Sequence, residues 1–118
     1  MNRRLRRRLP GGQGAACGVA RVGGDMDYVT EPAFDHQFQE LIARGDRSIV
    51  LDLSGVSFCD SAGLNVLLGA RRQAEASGAM LALACVPEPV QRILEMTGVT
   101  QLLQVYGTVT DAEAVFGR

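Results

Sequence analysis

Apolar positions along the chain alternate between two kinds of pattern. "SIVLDL", Ser48 to Leu53, is a short run rich in β-branched residues and reads as a buried strand. Ser54-Gly55-Val56-Ser57 reads as the turn after it. "MLALACV", Met80 to Val86, is a second buried strand ended by Pro87, and Leu102 to Tyr106 is a last short one. Between these runs the apolar residues recur at helical spacing. Phe34, Phe38, Leu41 and Ile42 share one face of a helix that begins at Thr30, as cap, and Pro32, and stops at Gly45. Leu64, Leu67, Leu68 and Ala74 define a helix over about 62–77, with Arg71, Arg72 and Glu75 on its other side and Gly78 as its stop. Pro89 opens a helix carrying Val90, Ile93 and Leu94, and Gly98 ends it. Thr110-Asp111-Ala112-Glu113 reads as a capping box for a final helix that uses Ala112, Val115 and Phe116.

The N-terminal part is less legible. Cys17 to Val22 has only Val19 and Val22 as strongly β-prone residues, which predicts a poor edge strand or half a hairpin before Gly23-Gly24-Asp25. Beyond it, strands and helices alternate, which implies helical crossovers and a largely parallel sheet. The expected fold class is α/β: one domain, with a mixed, mostly parallel sheet of four to five strands.

Composition narrows the functional classes. The 118 residues suit one domain with a feasible core. No apolar run approaches the roughly 20 residues of a membrane helix, so no membrane insertion is expected. Formal net charge is −1, but Arg3, Arg4, Arg6, Arg7 and Arg8 supply five of the 12 basic residues. The remaining 7 basic and 13 acidic residues make positions 9–118 net −6, a poor surface for direct nucleic-acid binding. The Gly-rich "LPGGQGAACGVA" after the arginines lacks the apolar stretch of a secretory signal. Residues 1–15 are therefore expected to be a disordered basic leader, and 16–118 the domain. The cysteines are Cys17, Cys59 and Cys85; their odd count and lack of Cys-x-x-Cys spacing fit a reducing cytoplasm, with Cys59 and Cys85 as small core residues.

The chemistry concentrates in "FCDSAGLNVLLG". Asp60-Ser61 sits where a strand gives way to a helix, and either residue suits an N-cap. The same position suits covalent modification. A phosphate at a helix N-terminus meets backbone donors and a favourable dipole, and brings about −1.5 to −2 charges. A catalytic Ser61 fits less well, since Cys59-Asp60-Ser61-Ala62-Gly63 lacks the first glycine of G-x-S-x-G. The lone histidine, His36, falls on the polar side of another helix. No metal-ligand cluster or phosphate loop is found, and the chain has no lysine. No cofactor and no enzymatic activity are expected.

Taken in order, "GGDMD", "DSAG" and "EMTGV" make the chain from about Ala20 to Phe116 resemble a STAS domain of the bacterial anti-sigma factor antagonist type. The resemblance implies a mixed sheet with about four helices packed mainly on one side. It implies that the unmodified protein binds an anti-sigma factor, an ATP-dependent serine kinase, and so frees a sigma factor. That kinase phosphorylates the serine after the aspartate, here Ser61, and the phosphoprotein lets go. A metal-dependent serine phosphatase reverses the mark. The resemblance also implies partner-binding roles for Asp27, Asp60, Ser61, Ala62, Gly63, Leu64 and Asn65, with Gly63 allowing close approach of a partner's backbone. Asn65 stands where relatives often have Gly, and Ala62 replaces a frequent second Ser. A second reading is a STAS adaptor subunit of a lipid or anion transport system.

Overall fold

The computed structural model describes residues 4–7 and 17–116. Five strands and four α-helices follow one another as β1 (Arg4–Arg7), β2 (Cys17–Met26), α1 (Glu31–Ala43), β3 (Ser48–Cys59), α2 (Ser61–Ala76), β4 (Met80–Ala84), α3 (Glu88–Thr97), β5 (Gln104–Tyr106) and α4 (Val109–Phe116). A single 3-10 turn, Val99–Gln101, lies between α3 and β5. The sheet order is β1-β2-β3-β4-β5. β1 pairs antiparallel with β2, and every other pair is parallel.

Because the parallel strands advance in one direction, right-handed crossovers carry α1, α2 and α3 to the same face. Alternation along β3 shows the result. Ile49, Leu51 and Leu53 join Phe34, Phe38, Leu67 and Leu94 in one core cluster. Val50 points the other way and packs with Val19, Ala82, Ala84, Ala112 and Phe116 of α4. Burial of Leu67 alone contributes roughly 1.5–3 kcal/mol. The architecture is the mixed, mostly parallel α/β domain that the pattern predicted, with α4 alone on the second face.

Several local expectations are corrected. β2 runs to Met26 and is half of a hairpin, one of the two expected alternatives, with Arg4–Arg7 of the expected disordered leader as its antiparallel partner at the sheet edge. Residues 1–3 and 8–15 of that leader lie outside the described residues. The turn expected at Ser54–Ser57 is absent, and β3 is one strand of 12 residues. Its second half pairs only with β2, through Gly23↔Gly55, Gly24↔Val56, Asp25↔Phe58 and Met26↔Cys59, with two register shifts. A Cβ on Gly55 would lie 3.2 Å from Gly23 Cα, so the two glycines let the strands continue side by side.

β4 ends at Ala84, before the expected Val86, because Cys85 adopts φ +56 and leaves the ladder. Cys85 is half-buried rather than fully in the core. β5 starts at Gln104, since Leu102 closes the 3-10 turn. The final helix starts earlier than its expected capping box. Thr108 Oγ1 accepts from Asp111 N–H at 3.0 Å, and Thr110 lies within the helix. Val115, expected in the core, is exposed, whereas Ala112 and Phe116 are buried.

Candidate functional site

The carboxyl ends of β2 and β3 lie side by side, and both chains turn there into helices. In open parallel sheets, this is where loops from different strands meet and where sites are built. Asp60 N–H donates to Met26 O at 3.2 Å, which ties the loop before α2 to the end of β2. Gly63 completes the junction. It is buried, and a Cβ there would lie 2.5 Å from Met26 O, 2.8 Å from Met26 Cβ and 2.9 Å from Cys59 Sγ. Its missing side chain therefore lets the start of α2 approach the ends of β2 and β3 closely.

Asp60 is the N-cap of α2. Its Oδ1 accepts from Ala62 N–H at 2.9 Å and from Gly63 N–H at 3.2 Å. Two donors of the first turn are thus satisfied, and the carboxylate lies at the positive end of the helix. Ser61, the first helical residue, is left without a capping duty. It is exposed, and its hydroxyl makes no hydrogen bond with the described residues. Asn65 is one turn further on, also exposed and on the same stripe. Leu64, on the apolar face the periodicity predicted, is only 6% exposed and packs in the core, while Ala62 is half-buried.

The loop from β2 to α1 is braced in the same way. Asp27 Oδ1 accepts from Val29 N–H and Thr30 N–H, each at 3.0 Å. Thr30 Oγ1 accepts from Asp27 N–H at 3.0 Å and donates to Asp25 O at 2.9 Å. Thr30 holds the N-cap position of α1 without a side-chain cap bond, because its hydroxyl is turned back to this loop. Asp27 is half-buried, and this loop is where its carboxylate is engaged. The brace leaves Tyr28 and Val29 at 75% and 70% exposure. Sequence reading missed both, because two apolar residues in a short turn carry no periodic signal.

Below the loop, Cys59 is buried. That burial, with the Asp60 carboxylate beside it, pushes its thiol up from 9.0 to about 11. On the α4 face, Cys85 is also pushed above its ordinary value, by burial and by Asp52. His36, on the outer side of α1, pairs with Glu40 at 3.1 Å. Among the described residues no helix is long and apolar enough to cross a membrane.

The STAS domain profile matches residues 12–112. The anti-sigma F factor antagonist of Paenibacillus polymyxa is 33% identical over 95 residues, covering 80% of this chain and 81% of that one. The anti-sigma-B factor antagonist of Staphylococcus aureus is 29% identical over 85 residues, covering 72% of this chain and 79% of its own length. The crystal structure of an anti-sigma factor antagonist from Mycobacterium paratuberculosis superposes with a TM-score of 0.78 at 23% identity, over 98% of this chain and 96% of that one. The profile match over most of the chain, together with the 33% identity to the Paenibacillus polymyxa protein, shows that this chain belongs to the STAS domain family.

Proposed function

We propose that the protein is an anti-sigma factor antagonist controlled at Ser61. In its unmodified form it binds an anti-sigma factor serine kinase at the junction of the Asp27 loop and α2, and a sigma factor is released. The observation that carries this reading is the division of labour at the start of α2. Asp60 caps the helix, so the Ser61 hydroxyl is exposed and takes up no hydrogen bond among the described residues. Names of similar proteins from Paenibacillus polymyxa and Staphylococcus aureus support the same role.

In the transfer step, Ser61 Oγ forms a bond to the γ-phosphorus of ATP. The bond to the bridging oxygen breaks and ADP leaves, while the hydroxyl proton passes to the kinase's base. Magnesium, nucleotide and base all belong to the kinase. The product carries about −1.5 to −2 charges at Ser61, immediately beside the phosphates of ADP. It also competes with the Asp60 carboxylate for the N–H groups of Ala62 and Gly63. Repulsion and added bulk then separate the proteins, with no large change of fold. A metal-dependent serine phosphatase restores the binding form. Such a cycle operates in the cytoplasm, where ATP and sigma factors meet.

The test is intact-mass spectrometry after incubation with ATP and each serine kinase of histidine-kinase-like fold from the same genome. One added phosphate is expected with one kinase, lost in Ser61→Ala, and the phosphoprotein should bind that kinase more weakly. Active kinases that neither bind nor modify the folded protein would overturn the reading and favour the transport-adaptor role.

A further inference from the structure

We infer that Tyr28 and Val29 are the apolar anchor of the kinase interface, and that Asp27 acts as the positioning residue that holds them out. This rests on the function proposed above and names a contact surface within it. Two large apolar side chains at 75% and 70% exposure are unusual on a loop whose backbone is otherwise tied down. Here the loop is tied on both sides of them. Asp27 Oδ1 holds the N–H groups of Val29 and Thr30, and Thr30 Oγ1 holds Asp27 N–H and Asp25 O. A loop fixed before binding loses little freedom when it docks, so its exposed apolar groups convert more of their burial into affinity.

The position also fits. Met26, which immediately precedes the loop, accepts the hydrogen bond from Asp60 N–H and packs under Gly63. Tyr28 and Val29 therefore leave the same junction as Ser61. A partner that brings a nucleotide to Ser61 covers them.

Charge specifies what surrounds the partner's pocket. Segments 22–43 and 54–70 contain Asp25, Asp27, Glu31, Asp35, Glu40 and Asp60, and no Lys or Arg. The complementary surface is an apolar pocket for one aromatic and one aliphatic side chain, rimmed by basic residues. Asp27 contributes to the rim charge, but its geometric duty is internal. An amide oxygen at the same place would accept the same two N–H groups.

The experiment measures affinity for the kinase that binds the wild-type protein, by titration calorimetry, on Tyr28→Ser, Val29→Ser, Asp27→Asn and Asp27→Ala. Tyr28→Ser should weaken binding by about 30-fold and Val29→Ser by about 5-fold, with melting temperatures unchanged. Asp27→Asn should stay within about 3-fold of wild type, while Asp27→Ala loses about 10-fold. Wild-type affinity in both serine variants would overturn the anchor. Equal losses in Asp27→Asn and Asp27→Ala would overturn the positioning role and make Asp27 a direct charge contact. If no kinase binds even the wild-type protein, the failure lies with the function proposed above, and the anchor falls with it.

Discussion

Ser61 and Asp60 are neighbours with opposite duties, and substitution separates them. Asp60→Ala removes the acceptor for two N–H groups and should cost about 1 kcal/mol in urea unfolding. Ser61→Ala removes a hydroxyl with no hydrogen-bond partner among the described residues and should stay within about 0.5 kcal/mol of wild type. Equal losses would mean that Ser61 shares the cap. Gly63→Ala forces a Cβ onto Met26 O at 2.5 Å, backbone that cannot turn aside. It should destabilise by about 1–3 kcal/mol through displacement of α2, visible as a lowered urea midpoint. Cys59 makes stability depend on alkaline pH. Its thiol titrates at 9.0 in the ordinary state and at about 11 when folded, so the folded form disfavours the thiolate. The corresponding stability is fully present below pH 9 and lost as pH rises through 11. Urea titrations across that range should show a decline that is shallower in Cys59→Ala.

At the level of elements, α4 shows how little a pattern says about orientation when a helix is short. Ala112, Val115 and Phe116 all suit an apolar stripe. Only the packing decides that Ala112 and Phe116 cover Val50, Ala82 and Ala84, with Tyr106 edge-on to Phe116 at 6.2 Å between ring centroids. Phe116→Ala should cost about 3 kcal/mol, and Val115→Ala, at 53% exposure, about 0.5 kcal/mol or less. Comparable losses in thermal melts would place α4 in a different rotation. The same limit explains the cap at Thr108. Both Thr108 and Thr110 begin a cap-like tetrad, since Thr108 is followed three residues later by Asp111 and Thr110 by Glu113. The helix starts where β5 releases the chain, which local sequence does not encode. Longer elements were legible. α1, α2 and α3 each present a repeated apolar face, and their stops at Gly45, Gly78 and Gly98 all carry positive φ.

For the whole molecule, charge and topology act together. The acidic segments from the β2–α1 loop and the start of α2 are far apart in sequence, and the sheet brings them to one end. An acidic docking surface should raise the rate of encounter with a basic partner, and salt should screen it. Raising ionic strength from about 50 to about 300 mM should therefore slow association with the kinase by roughly 10-fold, with a smaller effect on dissociation. Stopped-flow association rates independent of salt would remove the electrostatic part of the recognition.

Taken by itself, the sequence determined the alternation of buried strands and amphipathic helices, because each period is a local property repeated over many residues. It also determined the helix start at Asp60-Ser61, where the residue types have few other uses. Three things were decided only by tertiary structure. β3 extends through a stretch that reads as a turn, because β2 lies beside it and Gly55 faces Gly23. Gly63 turns inward, because Met26 closes over the start of α2. Tyr28 and Val29 turn outward, because Asp27 and Thr30 tie their backbone from both sides. In each case the deciding contact is made by a residue whose sequence neighbours give no sign of it, and only the folded chain supplies the partner.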